Sequence, residues 1–352
     1  MNGLDRSPRP PERLLRRLGL HYVTRAELTI QRRRRGTGFI YLNGGGRALR
    51  DERTLYRLKR LAVPPAYEDV TFAPDPHAHL QAVGRDAAGR HQYRYHPDWE
   101  KVRELRKAQR VASLAEILPR LRGWVSRHLK DTDPTRERAI AALIELITLT
   151  ALRPGSEIYA KEHGTRGAAT LLKSDVTISG ETVHLRFIGK GSKPIEKSVR
   201  SRRLAAALKR LCNLPGRRIF QYRNDNGKVV ALRRRDVNAM LQEVTGRPVS
   251  LKDFRTLIAS ATALTQLATI EPKTSNRGRR RQLLAIMRSV AAELANTPAV
   301  CRRSYVHAVI VDAFESGELR RLTRRAGIPT SAAQREKMLA SLLARLSAKA
   351  FA

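Results

Sequence analysis

The chain changes texture at Pro97, and no single fold type accommodates both sides of that change. From Leu28 to about His96, apolar residues come in short alternating runs broken by glycine and polar turns. Beyond Pro97 they recur at helical spacing over long stretches, with arginine and lysine between them. Before the break, GFIYLNGGGR carries a strand over Phe39–Leu42 that runs into a glycine turn. That turn lacks the Gly-Lys-Ser/Thr ending of a phosphate-binding P-loop. YEDVTFAP and HLQAVGRDAAGRHQYRY add further strands, the last pair hinged at Asp86–Gly89. After the break, the spacing predicts helices over Trp99–Ala112 and Leu114–Lys130. A third is capped by Asp133 with Pro134 at its first position, and stops at Arg153-Pro154-Gly155. Val176 and Ile178, then Val183, Leu185 and Phe187, then Ile195, Lys197 and Val199 alternate across two turns and predict a three-stranded antiparallel sheet. Helices are expected over 201–212, 234–245, 250–268, 281–295, 298–315 and 332–350, with the polar stretch Glu271–Arg281 as a loop. The expected fold is α+β. A small β-rich domain over 1–100, opening with a mobile basic tail over 1–20, precedes a larger, mainly α-helical domain over 101–352 holding one small sheet.

Charge then decides the partner. Among 352 residues, 69 Lys+Arg against 32 Asp+Glu leave a formal charge of +37, with a pI near 11.4. So large an excess of one sign implies a polyanion, and nucleic acid is the expected partner. Apolar residues, at 41%, suffice for a substantial core. Cys212 and Cys301 are the only cysteines, which excludes a secreted disulfide scaffold and argues against a structural zinc site. No apolar run approaches the roughly 18 residues that cross a bilayer. MNGLDRSPRPPERLLRR has no apolar signal region, so the expectation is a cytoplasmic protein at the nucleoid, without a membrane partner. A composition rich in arginine and alanine suggests a GC-rich bacterial source.

The nine histidines form no HExxH or other paired spacing, no carboxylate cluster resembles a nuclease centre, and GxSxG is absent. No metal or cofactor is therefore expected. What remains is a set of cations with a tyrosine, each open to an ordinary reading. Arg153, in TALRPGSEIY, can simply complement a helix C-terminus, although Pro154-Gly155 makes a sharp exit that fixes its guanidinium. Lys190, in RFIGKGSKP, can be a solvated hairpin tip, or a ligand group where flanking glycines permit close approach. Arg255, in SLKDFRTLIASATAL, can pair with Asp253, or meet a phosphate at the first turn of its helix. Tyr305, in NTPAVCRRSYVHAVIV, can be a core-edge residue on a helix capped by Thr297.

Taken in order, TALRPGSEIYA, FIGKGSK, KDFRT and NTPAVCRRSY resemble a type IB DNA topoisomerase of the compact poxvirus and bacterial kind. GRDAAGRHQYRYHPDWE is similar to that family's DNA-contacting stretch, so the resemblance covers roughly 25–315. It implies the catalytic fold shared with tyrosine recombinases. It also implies relaxation of positive and negative supercoils through a 3′-phosphotyrosyl intermediate, without ATP, nucleotide or metal, by a monomer clamped on duplex DNA. Carried over by motif, Tyr305 is the nucleophile, Arg153 and Arg255 hold the non-bridging oxygens, and Lys190 is the acid to the departing 5′-oxygen. Poxvirus members have a histidine where this chain has Asn296. Its amide can still donate to a phosphoryl oxygen but cannot move a proton. Tyr159 matches a phosphate-contacting tyrosine, Lys252 would assist proton delivery, and Gln92, Tyr93 and Tyr95 would contact DNA. The chemistry suits these groups: guanidiniums meet the charge on non-bridging oxygens, and a phenolate at pH 7 costs about 4 kcal/mol that neighbouring cations can offset. Two other readings compete. A tyrosine recombinase shares the chemistry, but its usual His-x-x-Arg stands here as Lys252-x-x-Arg255. A non-enzymatic nucleoid protein would need only the charge.

Overall fold

The computed structural model describes residues 12–351, which form two compact units meeting in sequence between Arg106 and Lys107. Residues 1–11 of the expected tail lie outside the described residues; the rest of it holds a short helix, α1 (Glu12–Arg17).

The N-terminal unit is built on a five-stranded antiparallel sheet, in the order β2-β1-β3-β4-β5. Its strands are β1 (Ile30–Arg35), β2 (Gly38–Leu42), β3 (Glu68–Phe72), β4 (Leu80–Arg85) and β5 (His91–Tyr95). Alternation sorts the side chains by face. Ile30, Val70, Phe72 and Ala82 pack with Leu58 of α2 (Glu52–Arg60), while Leu28, Ala73, Ala78, Leu80 and Val83 form a second cluster. β1 reads IQRRRR and has little apolar patterning, yet it is a strand because its neighbours on both sides supply the ladder. Arg32 is fixed there by donating to the carbonyls of Val63, Pro64 and Tyr67 at 2.7–2.9 Å and by lying over the Phe39 ring. The helix α2 within this strand-rich stretch is unanticipated; its start is the Asp51 cap, which accepts from Thr54 N at 2.9 Å.

Where two helices were expected, α3 is one helix, Trp99–His128. Nothing between Ala112 and Leu114 breaks it, because Ser113 carries no capping turn and the apolar face continues through Val111, Leu114 and Leu118.

The C-terminal unit surrounds α4 (Arg136–Thr150). Eleven of its fifteen residues are buried, so it is enclosed on all sides rather than amphipathic. Its cap is Thr135, not Asp133: the Thr135 hydroxyl accepts from Arg138 N at 3.2 Å. Around it lie α3, α6 (Arg202–Cys212), α8 (Leu251–Ala268) and the three-stranded sheet β6 (Val176–Ser179), β7 (Thr182–Gly189) and β8 (Lys193–Arg200), ordered β6-β7-β8 and antiparallel as expected. Buried Glu145 of α4 is paired by Arg203 of α6 through two bonds of 2.8 and 2.9 Å. Elements not foreseen are α5 (Glu157–His163), the hairpin β9 (Gln221–Arg223) with β10 (Val229–Ala231), and α12 (Glu318–Ala326). α7 (Arg234–Thr245) lies within its expected span, while α9 (Asn276–Glu293) begins five residues before 281, inside the stretch expected to be a loop, because Ser275 caps it through Gly278 N. The helix expected over 298–315 is broken into α10 (Pro298–Val300), a wide π turn over Cys301–Tyr305, and α11 (Ala308–Glu315). The last helix is α13 (Ala332–Phe351). No described helix is long and apolar enough to cross a membrane.

Candidate active site

Two helices end beside each other, and both end in left-handed alanines: Ala151 (φ 52°) closes α4, and Ala295 (φ 49°) follows the end of α9. Their last carbonyls face a common cation. Arg255, in the second turn of α8 and 2% exposed, donates through its two terminal nitrogens to Ala151 O and to Leu294 O, the latter at 3.0 Å. A guanidinium between two helix C-termini sits at the negative end of both dipoles. The ordinary expectation for Arg255, a pair with Asp253, is not realised. Asp253 is taken by Arg110 (3.2 Å) and by Ser250, whose N and Oγ it accepts at 2.9 and 2.8 Å. Arg255 thus keeps its charge without a carboxylate partner, and its buried Nε has no acceptor.

Arg153 follows the end of α4 on a loop that cannot move freely. Its carbonyl accepts from Ala168 N at 2.8 Å, and Pro154 O accepts from Ala169 N at 2.9 Å. The two segments touch through glycines: a Cβ at Gly167 would stand 2.5 Å from Arg153 O and 2.6 Å from Gly155 N and Cα. Arg153 Nη2 donates to Asn296 Oδ1, just past the turn that ends α9. The amide nitrogen of Asn296 is buried with no partner. An unsatisfied buried donor is costly unless a ligand acceptor completes it.

Tyr305 closes the π turn. Thr297 does cap the segment, accepting from Val300 N at 3.3 Å, but the chain leaves helical geometry at Val306. Ser260, fully buried in α8, holds the break: its hydroxyl donates to Tyr305 O at 3.0 Å and accepts from His307 N at 3.2 Å. One helix therefore carries both the guanidinium and the anchor of the tyrosine. The half-buried Tyr305 ring lies 4.9 Å beneath the Arg255 guanidinium. Burial alone would push the phenol up. The charges of Arg255 and Arg153, a hydrogen bond from Arg255 and the charge of Lys252 outweigh it, so its pKa falls below the ordinary value of 10.0. The Cys301 thiol in the same turn goes the other way, pushed up by burial against those guanidiniums, which leaves it protonated.

Lys190 is exposed in the β7–β8 turn and lines one small cavity with Arg153, Arg166, Lys197 and Arg255. The structure thus brings Arg153, Asn296, Arg255 and Tyr305 into contact, with Lys190 and Lys252 alongside. Tyr159 stands apart on α5, 45% exposed with its ring stacked on His163. Gln92, Tyr93 and Tyr95 lie on β5 of the other unit. Gln92 donates to Asp86 at 2.9 Å, and Tyr93 and Tyr95 stack in line. Sequence reasoning missed the roles of Ser260, a small residue in an apolar helix, and of Lys197, which the alternation placed on the same strand face as Ile195 and Val199 without assigning it a partner. Among the described residues no group of three His, Cys, Asp or Glu could hold a metal ion.

Residues 96–321, well over half of the chain and inclusive of every member of this cluster, match the eukaryotic DNA topoisomerase I catalytic core. The chain belongs to the DNA topoisomerase I family. Residues 38–86, which hold β2, α2, β3 and β4 of the N-terminal unit, match the N-terminal domain of bacterial DNA topoisomerase IB. Among curated type IB relatives, DNA topoisomerase 1B of Acanthamoeba polyphaga mimivirus is 28% identical over 294 residues, 82% of this chain and 88% of that protein. DNA topoisomerase 1B of vaccinia virus is 24% identical over 236 residues, 65% and 71% of the two chains. DNA topoisomerase I of monkeypox virus is 23% identical over 232 residues, with the same coverage.

Proposed function

We propose that this topoisomerase relaxes positive and negative supercoils by cutting and resealing one strand of duplex DNA through Tyr305, without ATP or metal. The observation that carries the reading is the Tyr305 phenol under Arg255, a buried guanidinium with no carboxylate partner, beside Arg153 and the unsatisfied amide of Asn296. A cationic pocket of that kind is completed by a phosphate.

In the reaction, Tyr305 Oη attacks the phosphorus and releases its proton to water. The bond from phosphorus to the 5′-oxygen breaks, and a 3′-phosphotyrosine forms. Arg153 and Arg255 bind the non-bridging oxygens with the Asn296 amide, and Lys190 delivers a proton to the leaving 5′-oxygen, which otherwise departs as an alkoxide. Each preorganised donor at such a centre is worth about 3–4 kcal/mol. Religation is the reverse, and the exchange of one phosphoester for another needs no energy input. Gln92, Tyr93, Tyr95, Tyr159 and Lys252 contact the duplex in this reading, the two units act as a monomeric clamp, and the charge excess makes binding fall steeply with salt.

The test is relaxation of positively and negatively supercoiled plasmid in EDTA without ATP, wild type against Tyr305→Phe. Relaxation of both signs by the wild type alone is expected, with DNA affinity unchanged within about threefold, since only a hydroxyl is removed. A Tyr305→Phe protein that relaxes plasmid normally overturns the assignment. Tight DNA binding without relaxation by the wild type favours the recombinase or the passive DNA-binding reading.

A further inference from the structure

The turn that ends α9 is held by more than the two guanidiniums. Lys197, half-buried on β8, donates through Nζ to Glu293 O at 2.5 Å, the carbonyl immediately before the one that Arg255 engages. Three cations from three different segments therefore grip three residues within a stretch of four: Lys197 at Glu293, Arg255 at Leu294, and Arg153 at the Asn296 side chain. Between them Ala295 adopts a left-handed conformation that a residue with a Cβ resists, and Asn296 N closes the turn on Ala291 O at 2.9 Å. A strained turn persists where its surroundings over-determine it. Lys197 has a second tie. Its strand pairs with β7, opposite Leu185, and β7 leads into the turn that carries Lys190.

We infer that Lys197 is a positioning residue for DNA cleavage: it clamps the end of α9 to the β7–β8 sheet, holding Asn296 and the phosphate-binding guanidiniums in register with Lys190. Its ammonium is spent on a main-chain carbonyl, so it acts through that turn rather than on the substrate. The same cavity supports this, since Lys197, Lys190, Arg153 and Ala295 line it together. The inference rests on the proposed cleavage reaction, and its test separates the two.

The experiment is single-turnover formation of the covalent protein–DNA adduct on a duplex whose cut strand cannot religate, together with the dissociation constant for an intact duplex. Lys197→Met is expected to slow adduct formation about tenfold, the scale of a modest misplacement in an active site, with the dissociation constant unchanged within twofold. Lys197→Arg, which can donate to the same carbonyl, should stay within about threefold of wild type. The decisive arm is Lys197→Met with Ala295→Gly. Glycine relaxes the left-handed position, so the turn needs the clamp less, and the double variant should recover most of the lost rate. A role confined to general stability predicts no such recovery. If the wild type forms no adduct, the cleavage reading and this inference fall together. If the wild type reacts and Lys197→Met reacts equally fast, or loses affinity in proportion to rate, or is not rescued by Ala295→Gly, the inference alone falls.

Discussion

Replacing Arg255 by lysine keeps the charge and removes the fork, which isolates what the guanidinium geometry contributes. In the wild type its two terminal nitrogens each serve a helix-terminal carbonyl, Ala151 O and Leu294 O. An ammonium on a flexible stem can serve one of them and leaves the other buried and unpaired. A hydrogen bond from a charged donor is worth about 1.5–3 kcal/mol, so the variant should lose roughly 2 kcal/mol. For a unit of this size each kcal/mol shifts Tm by about 2–4 °C, which gives a fall of roughly 4–8 °C. The kinetic effect should be far larger than the stability effect suggests. Losing one preorganised donor to the phosphoryl oxygens costs about 10²–10³ in rate. The assays are thermal unfolding by circular dichroism and single-turnover adduct formation, measured on the same preparation below the variant's melting range. Cleavage within about threefold of wild type, together with the expected fall in Tm, would refute the reasoning: it would mean that Arg255 only ties two helix ends and does not meet the scissile phosphate.

Three further outcomes follow from the same geometry. Tyr305 should ionise below the ordinary phenol value, because Arg255, Arg153 and Lys252 favour the phenolate more than burial disfavours it; the tyrosinate absorbance difference between wild type and Tyr305→Phe should titrate below pH 10, and a titration above it contradicts the charge balance. The sign for folding follows: a depressed pKa adds stability fully only above the unfolded value of about 10 and loses it as pH falls through the folded value, so neutral-pH stability should not depend on this ionisation. Gly167→Ala would push a methyl against the Arg153 carbonyl and Gly155, so adduct formation should fall by about 100-fold or more while the N-terminal unit is untouched; normal cleavage would mean that the loop carrying Arg153 has more freedom than these contacts allow. Lys190→Ala should slow cleavage strongly and recover on DNA whose 5′-leaving group needs no proton, and absence of recovery removes Lys190 from the acid role.

The parts of this fold that were legible in the sequence are those fixed by local pattern. The apolar patterns of β6–β8 and of β3–β5 predicted strands because their apolar side chains meet a core, on both faces in the case of β4. The cap at Thr297 marked a helix start through the chemistry of its own side chain, whereas Asp133 did not mark the start of α4, which Thr135 caps. What was not legible depended on distant partners. Nothing local in IQRRRR marks a strand; β1 exists because β2 and β3 flank it. Nothing in CRRSYVHAVIV marks the break after Tyr305, since the segment is helical in composition. The break is held by Ser260, on another helix, through Tyr305 O and His307 N.

That same distinction separates the site's members from its framework. Tyr305, Arg153 and Arg255 carry the unusual chemistry and could be picked out by motif. Lys197, Ser260 and the two left-handed alanines could not, because their roles are relations between segments. The helix ends explain why the framework takes this form. A buried guanidinium with no carboxylate beside it is expensive, and the buried carbonyls of Ala151 and Leu294 at the ends of α4 and α9 offset part of that cost without neutralising the charge. A carboxylate in the same place would stabilise the resting protein more and would compete with any anion that enters. Main-chain carbonyls hold Arg255 in one position and still leave its positive field on Tyr305 and on whatever anion enters, which is the arrangement a phosphate-directed tyrosine requires.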